Sequence, residues 1–113
     1  MFPSLASLAL GAGLLVVVVD KVPTLDVEPG CRAAAKMGDS LDATLRQCMA
    51  DETSARTELE QGWAQYSVAL RERCVATTRS GGSPSYVEVL VCLQMGRDAA
   101  EMEKSSTGRR EGN

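Results

Sequence analysis

Four cysteines constrain the fold of this chain more than any other feature of its sequence. They are Cys31, Cys48, Cys74 and Cys92. The midpoint of the first two falls within residues 38–40, which read Gly-Asp-Ser, and the midpoint of the last two falls beside residues 81–84, which read Gly-Gly-Ser-Pro. Residues equidistant from the turn of an antiparallel helical hairpin lie opposite each other. The spacing therefore favours one disulfide across each of two hairpins.

The other pairing considered joins Cys48 to Cys92 and Cys31 to Cys74. Both of its midpoints fall inside predicted helices rather than at turns, so it ranks below the pairing of Cys31 with Cys48 and Cys74 with Cys92. A domain of this size has a small core, and each disulfide adds about 3 kcal/mol when loop closure is the main effect. Four cysteines in a short chain favour an oxidising compartment.

Residues 2–19 form an apolar run without charge that ends at Asp20-Lys21. Such a run predicts an N-terminal hydrophobic helix, either a transmembrane anchor or a cleaved signal. No Lys or Arg precedes it and no small-x-small cleavage site follows it, which slightly favours the anchor. An uncleaved helix would make the membrane a partner of residues 2–19. A hydrophobic helix buried in a soluble core is the less favoured alternative.

The rest of the chain predicts short helices. Residues 20–30 contain two prolines and predict an extended linker, and residues 31–37 predict a helix that ends at Gly38. Asp39 or Ser40 is suited to cap a long helix. That helix carries an apolar stripe of helical period with one polar gap at Glu52. The members of the stripe are Leu41, Leu45, Cys48, Ala55, Leu59, Trp63 and Tyr66.

The second predicted hairpin follows Ser67, which is suited to cap or kink the chain before the next helix. A helix over 68–78 leads into the turn at 81–84, and Ser85 with Glu88 has the form of a capping box for a final helix. Residues 86–92 are rich in β-branched side chains, yet the cap and the absence of a partner strand favour helix. Residues 104–113 are polar without period and predict a disordered tail.

Together these elements predict an all-α fold. It consists of two short antiparallel helical hairpins, each with its own disulfide, in a domain over 31–103 that follows the hydrophobic helix of residues 1–19 and the linker.

Composition argues against several function classes. The chain has no histidine, so the commonest general base and metal ligand is missing. Its net charge is −3 and no basic stripe stands out, which argues against nucleic acid as a partner. We expect no enzymatic activity and no cofactor. The adjacent pair Asp51-Glu52 suits a hydrolase only if one carboxylate is buried, and an ion pair of Glu52 with Arg56 on the helix surface is the preferred interpretation.

A soft-metal site is the alternative to a purely structural use of the cysteines. Copper(I) prefers thiolate and thioether ligands, and Cys48, Cys92 and Met95 could supply them. Zinc is disfavoured because no two cysteines are closely spaced. Trp63 and Tyr66 could contact a ligand, although core packing is the preferred interpretation of aromatic residues at this spacing.

One set of residues between 48 and 99 carries a resemblance, with the segment at 81–88 as its most specific part. The set is Cys48-Met49-Ala50-Asp51-Glu52, Ala55-Arg56, Leu59, Trp63, Arg73-Cys74, Gly81-Gly82-Ser83-Pro84-Ser85-Tyr86-Val87-Glu88, Cys92-Leu93 and Arg97-Asp98-Ala99. It resembles small exported bacterial proteins with a signal-like N-terminus, four cysteines and no assigned function. The resemblance implies an exported helical protein with paired cysteines, and it brings no catalytic residues.

The sequence thus predicts a non-enzymatic envelope protein, a disulfide-stabilised helical module that binds a protein partner. Its expected location is the periplasmic side of the inner membrane if anchored, or the periplasm or exterior after cleavage. The alternative function is a periplasmic protein that binds copper(I) or another soft ligand through Cys and Met side chains.

Overall fold

The computed structural model describes residues 21–38 and 40–111, with side chains as far as residue 108. The described residues form helices α1 (Glu28–Ala35), α2 (Leu41–Gly62), α3 (Val68–Ser80) and α4 (Tyr86–Glu111). A 3-10 turn over Trp63–Gln65 joins α2 to α3. No strand occurs in this part of the chain, so the all-α prediction is confirmed. The predicted anchor or signal helix over 2–19 lies outside the described residues.

The two predicted hairpins and both predicted disulfides are present. Cys31–Cys48 links α1 to α2, and Cys74–Cys92 links α3 to α4. Helices α2 and α4 also pack against each other, so they form the centre of the domain, with α1 on the side of α2 and α3 on the side of α4. Each hairpin has its own covalent link, whereas contacts between α2 and α4 hold the two hairpins together.

The core lies mainly between α2 and α4. Leu59 of α2 and Leu93 of α4 are completely buried. The predicted α2 stripe is buried over its second half, at Ala55, Leu59, Trp63 and Tyr66. Its first half is less covered, since Leu41 in the first turn is 56% exposed. Helical period therefore identified the correct face of α2, while the extent of burial along that face depends on where the other helices end.

The junctions at Ser67 and at residues 81–84 follow the local signals, whereas Ser40, the N-cap residue of α2, makes no side-chain cap hydrogen bond. The Oγ of Ser67 accepts a hydrogen bond from the Leu70 amide at 3.2 Å, which caps α3. Gly82 has φ +81°, a conformation that favours glycine, in the turn between α3 and α4. The predicted pattern of a capped helix and a glycine-rich turn is confirmed here.

The predicted linker over 20–30 differs from the structure in two ways. Helix α1 begins at Glu28, with Pro29 in its first turn, where a missing N–H costs nothing. Before it, Leu25 is buried in the core, and its amide donates a hydrogen bond to the Tyr86 hydroxyl at 2.8 Å. Residues 22–27 thus pack against the helices, because burial of apolar side chains outweighs the extended tendency of a Pro-containing segment.

The final helix is longer than its predicted end at residue 103. Helix α4 continues to Glu111, and residues 104–108 are exposed. The Thr107 hydroxyl donates to the Glu103 carbonyl at 3.0 Å, a bond within the helix. Extending an existing helix costs far less than nucleating one, so a polar segment that predicts no helix alone can continue one.

Among residues 21–38 and 40–111, no helix has both the length and the apolar character needed to cross a membrane. The two disulfides indicate an oxidising, extracytoplasmic environment, because such bonds are rare where glutathione keeps thiols reduced.

Candidate functional site

The four cysteines are all engaged in disulfides. Cys48 and Cys92, two of the three ligands suggested for copper(I), belong to different disulfides and carry no thiolate. The third, Met95, is 66% exposed on α4. Within the described residues, no group of three or more Cys, Asp or Glu side chains is arranged to hold a metal ion. The cysteines therefore contribute covalent links in this structure.

Glu52 is a buried charged residue and belongs to the acidic pair that the sequence singled out. It occupies the polar gap in the α2 stripe, and only 6% of the residue is exposed. It faces the start of α4, where the first backbone N–H groups of a helix have no partner within the helix. Its neighbour Asp51 is exposed and accepts a hydrogen bond from the Gln47 side chain at 2.8 Å. The structure thus separates the two carboxylates into a core group and a surface group.

Both carboxylate oxygens of Glu52 accept hydrogen bonds from the start of α4. Oε1 accepts from the Ser85 hydroxyl at 2.5 Å, and Oε2 accepts from the amides of Tyr86 at 2.6 Å and Val87 at 3.4 Å. A carboxylate at a helix N-terminus is also stabilised by the helix dipole. These bonds account for the burial of Glu52 as a tertiary helix cap. The predicted surface ion pair with Arg56 is replaced by an Arg56–Glu60 pair at 3.0 Å.

The predicted capping box at α4 is half present. Ser85 Oγ accepts from the Glu88 amide at 3.2 Å, as expected, but the Ser85 amide donates to the hydroxyl of Thr78 at 2.9 Å rather than to Glu88. Thr78 is completely buried on α3. Side chains of α2 and α3 therefore bond to the start of α4, where a capping box would use side chains of α4 itself. Sequence reasoning could not assign these roles, because both partners are distant in the chain.

Trp63 and Tyr66 are buried, consistent with the preferred interpretation that they are core residues. An arginine lies over each ring: Arg71 over Trp63 at 5.7 Å and Arg97 over Tyr66 at 5.1 Å from the ring centre. Such cation–π contacts stabilise by about 0.5–1 kcal/mol at exposed sites and more when desolvated. Each ring thus packs against an arginine, and both residues also line shallow surface grooves.

A shallow groove of about 680 Å³ lies beside Glu52, between the first half of α2 and the start of α4. Ala43, Thr44 and Cys48 contribute from α2, and Val87 contributes from α4. The groove is mostly apolar, and Asp51 and Glu52 are its acidic residues. Because the oxygens of Glu52 already accept bonds from α4, the groove offers contact area more than reactive groups.

The groove continues onto an apolar strip on the outer side of α4. We call this strip the outer α4 stripe, and its members are Val87, Val91, Met95 and Met102. All four are exposed, Met102 by 72%. The spacing of four residues from Val87 to Val91 to Met95 puts these side chains on one helix face. The sequence had suggested Met95 as a copper(I) ligand and not as part of an exposed apolar face. A second apolar period on α4, offset from Val89 and Leu93, was the signal that could have revealed the stripe.

Comparisons with protein-family models, with curated proteins and with solved structures found no match to this chain. The fold and its surfaces therefore carry the argument about function.

Proposed function

We propose that this chain is a non-enzymatic envelope protein that acts as a disulfide-stabilised helical interaction module. It is exported across the inner membrane, and it is either held at the periplasmic side by residues 2–19 or released after their cleavage. The two disulfides and the apolar N-terminal run support this location. The resemblance to small exported four-cysteine bacterial proteins supports it as well.

The observation that carries the interaction role is the outer α4 stripe. From Val87 to Met102 it extends about 22 Å at the helical rise of about 1.5 Å per residue. Single exposed apolar residues are common on protein surfaces, whereas several on one helix face mark a place where another surface packs. A rigid helix face loses little conformational entropy when it binds, which favours affinity.

The charges near the stripe define the partner. Glu88 and Glu101 lie on either side of it, and Asp98 lies within it. The nearest charges on this face are acidic, and the adjoining groove adds Asp51. The fitting partner is an amphipathic helix of another envelope protein, with an apolar face bordered by Lys or Arg, which would pack along α4.

The copper(I) alternative is not favoured by any contact in the structure. It requires thiolates from Cys48 and Cys92, and therefore the reduction of both disulfides. Finding native protein with four free thiols would revive this alternative and contradict the proposed location. The intact mass of protein from its own host, measured without reductant, decides the point.

Photo-crosslinking in the native host tests the interaction role. A photo-reactive amino acid replaces Met95 in one protein and Met37, which is 91% exposed outside the stripe, in a control protein. We expect a discrete adduct from position 95 alone, attached to a partner peptide with a basic-bordered apolar helix face. The pair Val91→Asn and Met95→Gln should abolish co-purification of that partner, while Met37→Gln should not. Equal adducts from both positions, no adduct, or adducts only with a second copy of this chain would contradict the proposal.

A further inference from the structure

A second groove, of about 440 Å³, lies on the opposite side of α4, against the start of α3. We call it the basic groove. Its charged lining residues are Arg73 of α3 with Arg97 and Lys104 of α4, and none of its lining residues is acidic. The seven-residue spacing of Arg97 and Lys104 places both on the same face of α4. Three basic residues thus line one concavity.

This concentration of positive charge runs against the composition of the protein. The chain has 15 acidic and 12 basic residues, so a lining with three basic and no acidic residues is the reverse of the overall balance. The ion pairs Arg32–Glu28 and Arg56–Glu60 both lie outside the groove. The Arg97 guanidinium lies over the Tyr66 ring, 5.1 Å from its centre. Like charges that line one concavity repel each other, and a bound anion would relieve this repulsion.

The remaining lining residues suit a phosphate group. Arginine guanidinium groups bind phosphate oxygens through paired N–H donors, and a lysine ammonium adds a point charge. Ser67 lines the same groove. Its hydroxyl oxygen accepts a hydrogen bond from the Leu70 amide, so the hydroxyl proton can be donated to a phosphate oxygen. The N-terminus of the α3 helix adds a positive dipole end to these side chains. The volume falls within the range of small-molecule sites, about 300–1,000 Å³.

We propose that the basic groove is a binding site for a phosphate group, held by Arg73, Arg97 and Lys104. The phosphate belongs either to a soluble phosphate-containing ligand or to the headgroup of an anionic phospholipid. Both sources present the same chemistry to the three cations. The site is independent of the outer α4 stripe, so the two functions can be tested separately.

Nuclear magnetic resonance of the full oxidised chain tests this site. The protein is kept in a maltoside detergent, which contains no phosphate, and is titrated with inorganic phosphate and separately with a short-chain phosphatidylglycerol. Sodium chloride at matched ionic strength is the control for screening. The readout is the amide shifts of Ala69, Gly96 and Ala100, which line the groove. We expect saturable shifts at these amides with at least one of the two titrants and none with chloride.

Substitutions then link any binding to the three cations. Arg73→Gln and Lys104→Gln should each weaken binding about tenfold, the usual effect of losing one charged hydrogen bond. Arg46→Gln on the exposed surface of α2 makes the same charge change elsewhere and should have little effect. Saturation with inorganic phosphate would identify a soluble ligand, and saturation with phosphatidylglycerol alone would identify a lipid headgroup. Absence of saturable shifts with both titrants, or equal weakening by Arg46→Gln, would overturn the proposal.

Discussion

The carboxylate of Glu52 in α2 accepts a hydrogen bond of 2.6 Å from the backbone N–H of Tyr86, the first residue of α4. The two residues are 34 positions apart in the sequence. Each disulfide closes a single hairpin, so this contact is one of those that orient the two hairpins relative to each other. The hydroxyl of the same tyrosine accepts a hydrogen bond from the Leu25 amide at 2.8 Å. Tyr86 is therefore the point where the N-terminal segment, α2 and α4 meet.

Loss of the Glu52 carboxylate should destabilise the domain strongly. Glu52→Ala leaves a half-buried hydroxyl and two amides at the start of α4 without their acceptor, and we expect a loss of about 2–4 kcal/mol in the free energy of unfolding. Glu52→Gln keeps the shape and one acceptor oxygen, so its loss should be smaller, about 1–2 kcal/mol. Urea unfolding of the oxidised protein measures both. Asp51→Ala is the matched control, since the exposed Asp51 should change stability by only about 0.5 kcal/mol. Equal losses for Glu52→Ala and Asp51→Ala would show that the cap does not stabilise the fold.

Removing one hydroxyl should release the segment before α1. Tyr86→Phe leaves the buried Leu25 amide without its acceptor, and we expect a cost of about 1–3 kcal/mol. Hydrogen exchange gives the more specific result, because the protection of the Leu25 amide should fall more than that of amides in α2. Tyr66→Phe removes a hydroxyl from another buried tyrosine whose ring lies under Arg97. Undiminished protection of Leu25 in Tyr86→Phe, or the same decrease in Tyr66→Phe, would refute the role of this contact.

The two disulfides should be separable by peptide mapping. Without reductant, trypsin should release residues 22–32 joined to residues 47–56, and residues 74–79 joined to residues 80–97. Replacing both cysteines of either pair by alanine should lower the free energy of unfolding by about 3 kcal/mol, because the two closed loops are of nearly equal length. A peptide that joins residues 47–56 to residues 80–97 would instead support the alternative pairing, and a loss well below 1 kcal/mol would mean that the links contribute little.

The close packing of α3 and α4 should not tolerate a larger residue at Gly96. A Cβ at this position would lie 2.5 Å from Cδ1 of Leu70, so Leu70 must move. We expect Gly96→Ala to destabilise by about 1 kcal/mol, since overpacking outweighs the gain in helix propensity. Gly108→Ala near the end of α4 meets no atom within 4 Å and should stabilise slightly. Thermal unfolding compares the two variants, and stabilisation by Gly96→Ala would show that Leu70 yields without cost.

Spacing and local capping were sufficient to predict much of the fold. The distances between cysteines, the turn at residues 81–84 and the cap at Ser67 all depend on neighbours close in sequence, and the structure contains the hairpins, disulfides and cap that they predict. The helical assignment of residues 86–92 was correct for the same reason, because a helix start is specified within one turn. The anchor or signal at residues 2–19 remains a prediction.

The roles of particular side chains depended on the tertiary structure. Glu52 looked like a surface residue in an acidic pair, and residues 20–30 looked like a linker. The groups that contact them lie more than 30 residues away in the sequence, so neither local pattern reveals these contacts. The same holds for the outer α4 stripe and the basic groove, since exposure depends on which helix faces other elements cover. By itself the sequence was sufficient to predict the two hairpins, the turn between α3 and α4 and the favoured pairing of the cysteines, all of which follow from backbone geometry and chain spacing. Only the tertiary structure decided which charges are buried as caps and which apolar and basic side chains remain available for binding, because burial depends on contacts between distant segments.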